Sequence, residues 1–430
     1  KNQEKFTIVI SARGNTTNEL EKILEKAAAK KEYLSDFEEL KSYQLEPNKN
    51  VDFSAEFGKL KTIFEGVSLL GDFSEKIKDE VLAQGELLSV KLVASLLENE
   101  GIPVKIADAR NLIITDENFG NAQPIKAISK ENTVQFFKEN SKTLNLVTGF
   151  IASNQKNETT TLGRNGSNYT AALLANYLDA DELQNYTHVN GIFTANPELV
   201  ADAKKIEQLS FSEANELANF GANILHAKTI IPLLEKNINL RILNTFNKED
   251  KGTLITSETS SKGIKSISTI SNVCLLNFEG RGLLGKVGVD ARIFKTLSAK
   301  NISVSIISQG SSERGIGFVI EENKAEEAVK ALENEFESDL YSQDVNQISV
   351  IKNVAVISII GQDLSEFHHP YNALIKNQII PLLFNNSITG KNVNIIVKKE
   401  QLHKAVNVIH GQVFGVSKKV NIAIFGKGLV

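Results

Sequence analysis

Apolar residues recur along this chain with two periods, and segments of the two kinds alternate. Phe6-Thr-Ile-Val-Ile-Ser-Ala12 is a short β-branched run ending in small residues, the pattern of a buried strand. Asn18 then offers an N-cap for a helix reaching about Lys30. From Phe73 to Glu100, Val81, Leu88, Leu92 and Leu96 follow the helical period. Gly101-Ile-Pro103 stops that helix, and Val104–Ala107 starts another strand. The pattern continues with a helix over 132–142, a strand over 144–152, a Gly-rich turn over 163–166, a helix over 167–178 and a strand over 183–189. A helical stretch with room for an interruption runs from about Ser212 to Lys236, followed by a strand over Leu240–Phe246. Strands separated by helices predict an α/β sheet covered on both faces.

The rhythm changes after a polar, Ser/Thr/Gly-rich stretch from Thr256 to Ile264, which reads as a linker. Beyond it the order is strand, helix, strand, strand, helix, twice over. Asn301–Ser311 aligns with Asn377–Ser387, and Val273–Gly280 with Val354–Gly361. Two copies of a small α+β unit imply that each completes the packed surface of the other. The tail Val420–Val430 is a strand running into Gly426-Lys-Gly428, the first half of a dinucleotide-binding fingerprint. No helix follows it within the chain, so no dinucleotide site is expected here.

Composition narrows the function classes. The 430 residues are 41% hydrophobic and 23% charged, which is ordinary globular composition for two to four domains. A formal net charge of −4 supports neither nucleic-acid nor anionic-membrane binding. No apolar run reaches the length of a membrane span and no signal peptide precedes Lys1, so a cytoplasmic setting is expected. The single cysteine, Cys274, sits inside an apolar run and reads as a small hydrophobe. The chain has no methionine, so Lys1 is not read as a natural start. His226, His368, His369, His403 and His410 show no metal-ligand spacing, and no protein metal site is expected.

Candidate chemistry gathers at three places. Thr159-Thr-Thr-Leu-Gly163-Arg164-Asn165-Gly166-Ser167-Asn168-Tyr-Thr170 lies between a strand and a helix. Its glycines allow close backbone approach, and Ser167 or Asn168 can cap the helix, whose N-terminal amides favour an anion. Arg164 adds a planar fork for a carboxylate or phosphate. The same residues also fit a plain Gly-rich connection. Glu86, in Gln84-Gly85-Glu86-Leu-Leu-Ser89, is a carboxylate that by itself fits an exposed helix position. Ser11 to Asn18 forms a small polar loop at the carboxyl end of a strand, where open α/β sheets bind ligands.

Taken in order, Ser11-Ala with Thr17-Asn, Gly85-Glu-Leu-Leu-Ser, Thr160-Thr-Leu-Gly-Arg-Asn-Gly-Ser, Glu216-Leu-Ala-Asn-Phe-Gly-Ala with Leu225-His and Ile307-Ser-Gln with Ser311-Ser-Glu resemble aspartate kinases. The tail resembles the opening strand of a homoserine dehydrogenase, which points to the bifunctional aspartokinase–homoserine dehydrogenases. The resemblance implies a carbamate-kinase-like three-layer α/β/α amino-acid-kinase core over 1–258. A tandem α+β ACT-domain pair over 265–418 and the first strand of a truncated dehydrogenase domain over 419–430 would follow.

The implied reaction is phosphoryl transfer from MgATP to the β-carboxylate of L-aspartate, with Mg²⁺ held mainly by ATP. Arg164 would pair with a substrate carboxylate, Glu86 would bind the ammonium, and Ser11, Thr17, Ser167 and Asn168 would complete the pocket. Gly163, Gly166, Thr187, His188, Phe193 and Asn223 would serve the nucleotide. Threonine is the implied effector, at Gly285, Val287, Asp290 and Gln309, although Gln309 also fits a sheet-end polar position. ACT pairs imply a homodimer or tetramer.

Departures cluster at the nucleotide. The family's Lys-Phe-Gly-Gly strand is expected ahead of Phe6 and does not appear there. Asn168, His188 and Asn190 replace family aspartates, and Glu198 and Asn223 replace cations. Each lost donor to developing phosphate charge costs about 3 kcal/mol in a transition state. The amino-acid pocket is thus expected to be better preserved than the nucleotide pocket. Lys228 is a candidate replacement cation.

Overall fold

The computed structural model describes residues 6–219, 226–258, 262–281, 286–309, 315–362 and 368–415. Its chain divides into two compact units: Lys1–Asn185 with Lys228–Leu240, and Tyr186–Ala227 with Arg241–Val430. In chain order the first elements are β1 (Thr7–Ile10), α1 (Thr16–Ala28), α2 (Leu34–Leu45), α3 (Ser54–Leu70), α4 (Glu75–Asn99), β2 (Val104–Ala107) and β3 (Ile114–Thr115). Next come α5 (Lys126–Glu139), β4 (Leu144–Thr148), β5 (Ile151–Asn154), β6 (Thr159–Thr161), α6 (Gly166–Tyr177) and β7 (Glu182–Thr187). They are followed by β8 (Gln208–Ser210), α7 (Phe211–Asn219), α8 (Ala227–Lys236), β9 (Asn239–Asn244) and β10 (Thr253–Thr256).

The first unit shows why alternation along a strand builds layers. β1, β4 and β2 form a parallel sheet of order β1-β4-β2. Ile8, Ile10 and Leu146 face Val90 and Ala94 of α4. Val9 and Val147 point the other way, into a cluster with Phe136 of α5 and Leu173 and Leu174 of α6. Successive side chains thus meet helices on opposite faces, the period-two rule of a strand buried on both sides.

Two helices in the first unit go beyond the predicted elements. α2 and α3 bury Phe37, Leu40, Leu60 and Phe64 against Leu20 and Leu24 of α1, with Phe37 and Phe64 edge to face at 5.4 Å. α1 begins at Thr16 rather than after Asn18. β6, within a stretch expected to be a connection, pairs with β5.

The predicted helical stretch from Ser212 to Lys236 is α7 and α8, and residues 220–225 between them, Asn223 included, lie outside the described residues. Glu213 accepts from the N–H and hydroxyl of Ser210, a capping box that starts α7.

The later elements are β11 (Gly263–Glu279), α9 (Val289–Ala299), β12 (Ile306–Gln309), β13 (Gly315–Glu321), α10 (Ala325–Glu335), α11 (Glu337–Tyr341), β14 (Gln347–Gln362), α12 (His368–Lys376), β15 (Leu383–Asn386), β16 (Asn392–Lys398) and α13 (Leu402–Phe414). This is the predicted doubled strand-helix-strand-strand-helix order. β11 starts inside the stretch expected to be a linker, because Gly263 and Ile264 pair with Gln362 and Gly361. Sheet hydrogen bonding outweighs polar composition there.

β11 and β14 pair antiparallel as the centre of one six-stranded sheet, of order β12-β13-β11-β14-β16-β15. On one face Cys274, Leu276 and Phe278 pack with α9 and α10; Ala355, Ile357 and Ile359 pack with α12 and α13. The other face is apolar too, with Val273, Leu275, Ile306, Val354 and Ile396 in one cluster. The outermost strands approach each other, and Asn385 of β15 donates to the Ile307 carbonyl of β12 at 2.8 Å. Each repeat therefore completes the other's core. Burial pushes the Cys274 thiol up to about 11, so it packs rather than reacts.

A row of polar side chains joins this sheet to α7. Lys391 Nζ lies 2.5 Å from Ser212 Oγ, Gln362 donates to Ser210 Oγ at 3.4 Å, and Asn392 donates to Glu216. His410 of α13 is buried and its Nε2 is 2.9 Å from Thr194 Oγ1. The dehydrogenase-like tail lies outside the described residues.

Phe278 is fully buried and meets Phe336 edge to face at 4.7 Å. Phe278→Ala is expected to destabilise the repeat pair by about 3–5 kcal/mol through the cavity it leaves. A urea melt should show it as a lower midpoint, and an unchanged midpoint would contradict this core.

Candidate active site

The site is built where β1, α4 and α6 present their ends to one cleft of about 580 Å³ in the first unit. β1 stops at Ile10, and the small polar residues that follow cannot continue a buried strand, so Ser11 to Asn15 turn the chain into α1. Ser11 and Thr17 both line the cleft. α4 passes close beneath this loop because residue 85 is glycine: a Cβ there would lie 3.1 Å from Ala12 Cβ.

That approach sets the depth of Glu86. The side chain is 2% exposed, so the exposed alternative read from sequence does not hold. Its Oε1 accepts from the Ala12 N–H at 3.2 Å, while Oε2 has no hydrogen-bond partner. Burial pushes this carboxyl up to about 8, against a smaller opposing effect from the Ala12 amide. A buried carboxyl with one free oxygen at a cleft wall suits a ligand cation, whose arrival would ionise it.

The segment from β6 into α6 lines the same cleft. Gly163, Arg164, Gly166, Ser167 and Asn168 all line the cleft. Arg164 is exposed and makes no ion pair among the described residues. The cap is not the predicted one. Asn165, at φ +57°, is the N-cap and α6 starts at Gly166, so Ser167 and Asn168 occupy its first turn instead. Their amides and the helix dipole bring partial positive charge to the cleft.

Sequence reasoning missed Phe150, Lys78 and Asp79, which also line the cleft. Phe150 has φ +65°. Its N–H donates to Thr170 Oγ1 at 3.1 Å, and the Thr170 hydroxyl bonds the Gly166 carbonyl at 3.0 Å. Two non-glycine residues in the left-handed region, each costing about 1 kcal/mol or more, therefore flank the helix N-terminus. Lys78 is paired with Glu21, which raises its pKa. Asp79 is buried, which raises its carboxyl, while bonds from Gly120 and Thr161 work against the shift. Charge spacing along α4 could have pointed to Lys78 and Asp79; nothing local marks Phe150.

The remaining candidates belong to the second unit. Thr187 ends β7, and its hydroxyl accepts from the Val189 N–H at 3.0 Å. His188 is exposed, and Asn190 accepts from Asn244 at 2.7 Å. The Phe193 carbonyl accepts from Ser266 Oγ at 2.8 Å. Val287 is fully exposed, Asp290 sits in the first turn of α9, and Gln309 ends β12. Gly285, like Asn223, is outside the described residues. Lys228, the candidate replacement cation, is in the first unit and donates to the Leu162 carbonyl at 3.0 Å and to Asn121.

A model of the amino acid kinase family matches residues 1–244. The chain belongs to that family. An ACT domain model matches residues 276–336. The bifunctional aspartokinase/homoserine dehydrogenase of Buchnera aphidicola subsp. Acyrthosiphon pisum is 29% identical over 99% of this chain and 54% of its own length. The chloroplastic bifunctional aspartokinase/homoserine dehydrogenase 1 of Arabidopsis thaliana is 30% identical, over 95% of this chain and 45% of its own length. The chain thus spans about half the length of these relatives. Among solved structures, Escherichia coli aspartokinase III in complex with aspartate and ADP is 26% identical with a TM-score of 0.80, covering 95% of this chain and 93% of that one. The kinase core and the ACT region expected from the motifs are both shown by these matches.

The Glu86 carboxyl, raised from 4.5 to about 8, makes two pH predictions. Between those values the folded protein holds a proton that the unfolded chain has lost, so this group's contribution to stability falls as pH rises. Glu86→Gln should remove that slope in thermal melts across the window. Affinity for a ligand ammonium should rise with pH up to about 8, with proton release on binding below it. Calorimetry in buffers of different ionisation enthalpy checks this, and a pH-independent affinity would contradict it.

Proposed function

We propose that the chain is an aspartate kinase, transferring a phosphoryl group from MgATP to the β-carboxylate of L-aspartate to give 4-phospho-L-aspartate. This would be the first step of the threonine, methionine and lysine pathway. The observation that carries the reading is the charge layout of the cleft. A guanidinium and a helix N-terminus line one cleft with a buried carboxyl that has an unpartnered oxygen. That layout complements an amino acid carrying an extra carboxylate.

Arg164 pairs with a substrate carboxylate, and Glu86 takes the ammonium. Ser11, Thr17, Ser167 and Asn168 hydrogen-bond the remainder. Held this way, the β-carboxylate is oriented for in-line attack, which is most of what phosphoryl transfer asks of a protein. Gly163, Gly166, Thr187, His188, Phe193 and Asn223 serve the nucleotide. Among the described residues no group of three or more His, Cys, Asp or Glu is arranged for a metal. Mg²⁺ would enter mainly on the ATP phosphates and neutralise their charge.

We assign 1–258 to the catalytic domain, 265–418 to the ACT pair and 419–430 to the first strand of a dehydrogenase domain. Threonine is the effector, at Gly285, Val287, Asp290 and Gln309. The polar row from β14 and β16 to α7 gives it a route, because α7 leads directly to the segment carrying Asn223. Effector binding shifts activity only by favouring one state of that contact. The protein is cytoplasmic and assembles as a homodimer or tetramer through its ACT domains.

A second reading, an amino-acid sensor or scaffold for a fused dehydrogenase, is favoured by Asn168, His188, Asn190, Glu198 and Asn223 at the family's nucleotide positions. The full protein should release ADP in a coupled assay only when L-aspartate is present. Arg164→Ala should cost about 2 kcal/mol, roughly thirtyfold in kcat/KM. ADP release independent of aspartate excludes the kinase reading; aspartate binding without ADP release selects the sensor. Threonine should inhibit the wild type and lose effect on Gln309→Ala. An undiminished response removes Gln309 from the effector site.

A further inference from the structure

α4 carries a second buried carboxylate on the cleft side, and its surroundings are the reverse of those at Glu86. Asp79 is 1% exposed, and the chain itself saturates its carboxylate. Oδ2 accepts from the backbone N–H of Gly120 at 2.8 Å and of Thr161 at 2.9 Å. Oδ1 accepts the Thr161 hydroxyl at 2.8 Å. Helix α4 thus presents one carboxylate with an unpartnered oxygen and one whose two oxygens both have partners in the chain.

The three donors belong to two segments that run together along the cleft wall. Ala122 N–H donates to the Thr161 carbonyl at 2.9 Å, tying them to each other. At Gly163, φ is +76°, and a Cβ would lie 2.8 Å from Asn121 Oδ1 and 3.2 Å from the Gly120 carbonyl. Only glycine lets the segments approach so closely there. Lys228 of α8 holds the same pair through Leu162 and Asn121. A carboxylate therefore takes the outward-facing donors of this wall, and an ammonium takes its acceptors. The next residue along the chain is Arg164.

We propose that Asp79 is a positioning residue for the amino-acid site: through Thr161 and Gly120 it fixes the strand end from which Arg164 reaches the substrate. The inference rests on the aspartate-binding reading of the cleft. Asp79 does not touch the substrate. It works by denying the wall any alternative arrangement, because two buried N–H groups and a hydroxyl would otherwise have no partner. An asparagine at 79 can keep all three contacts, its oxygen taking both N–H groups and its NH₂ donating to the Thr161 hydroxyl, so the change that severs the link is Asp79→Ala. With the link severed the wall relaxes, and the guanidinium loses its fixed position in the cleft.

The test is calorimetric titration of L-aspartate into the full chain as wild type, Asp79→Ala, Thr161→Val and the double variant. It is done at a temperature where circular dichroism shows all of them folded. Each single change should weaken aspartate binding about tenfold, a size typical of a misplaced binding group. The double variant should lose less than the product of the two, because both changes cut the same link. Aspartate-dependent turnover, where measured, should show the loss mainly in KM. A purely structural role would lower the melting temperature and leave the dissociation constant alone. Single-variant constants within twofold of a wild type that binds aspartate would overturn the proposal. If Asp79→Ala does not fold, Thr161→Val decides by the same criterion. A wild type that does not bind aspartate would instead overturn the aspartate reading on which the proposal stands.

Discussion

The depth of Glu86 governs much of what the first unit can do. A carboxyl that burial pushes to about 8 is costly to ionise, and it stays where it is because α4 has no freedom to withdraw. The helix is 25 residues long and packs along both α1 and the β1-β4-β2 sheet. Gly85 lets it press against the loop after β1, and Ala12 supplies the one amide that Glu86 receives. The unsatisfied oxygen is therefore maintained by the packing of the whole unit. Such an arrangement lowers stability locally and prepares the site for a cation.

The segment from β6 into α6 is organised by the same trade. Phe150 and Asn165 both hold left-handed backbone angles, and Thr170 pins Phe150 by accepting its N–H. The N-terminus of α6 faces the cleft as a consequence. Arg164 sits just ahead of that helix, so full positive charge and helix-dipole charge share the cleft with the Glu86 carboxyl. This polarity is what an amino acid requires.

In the second unit the organising constraint is the pairing of two long strands. β11 and β14 hydrogen-bond from Gly263↔Gln362 to Glu279↔Gln347, with register shifts on the way. Neither repeat encloses its apolar surface alone, since Val273 and Leu275 of one share a cluster with Val354, Val356 and Ile396 of the other. The sheet's contact with α7 is polar, through Ser210, Ser212 and Glu216. Polar contacts can be exchanged for others at little net cost, whereas an apolar core cannot, so the joint that can shift is the one beside α7.

The sequence by itself determined much of the order of the elements, α2, α3 and β6 excepted, and several of the cleft's polar residues, Lys78 and Asp79 excepted. Val104–Ala107 appeared as predicted, the doubled repeat was visible in the alignment of residues 301–311 with 377–387, and the ordered motifs named Glu86, Arg164 and Ser167. These are local properties: periodicity, turn chemistry and residue type. Others needed the folded chain. The linker ended early because Gly263 found a partner in Gln362, a residue far along the chain. α6 took Asn165 as its cap because Phe150 and Thr170 fixed the turn before it. Glu86 is buried, Asp79 is saturated by Gly120 and Thr161, and Lys228 is spent on Leu162. Burial and hydrogen-bond partnership are relations between distant segments. Only the tertiary structure decided which carboxylate has an oxygen left for a ligand.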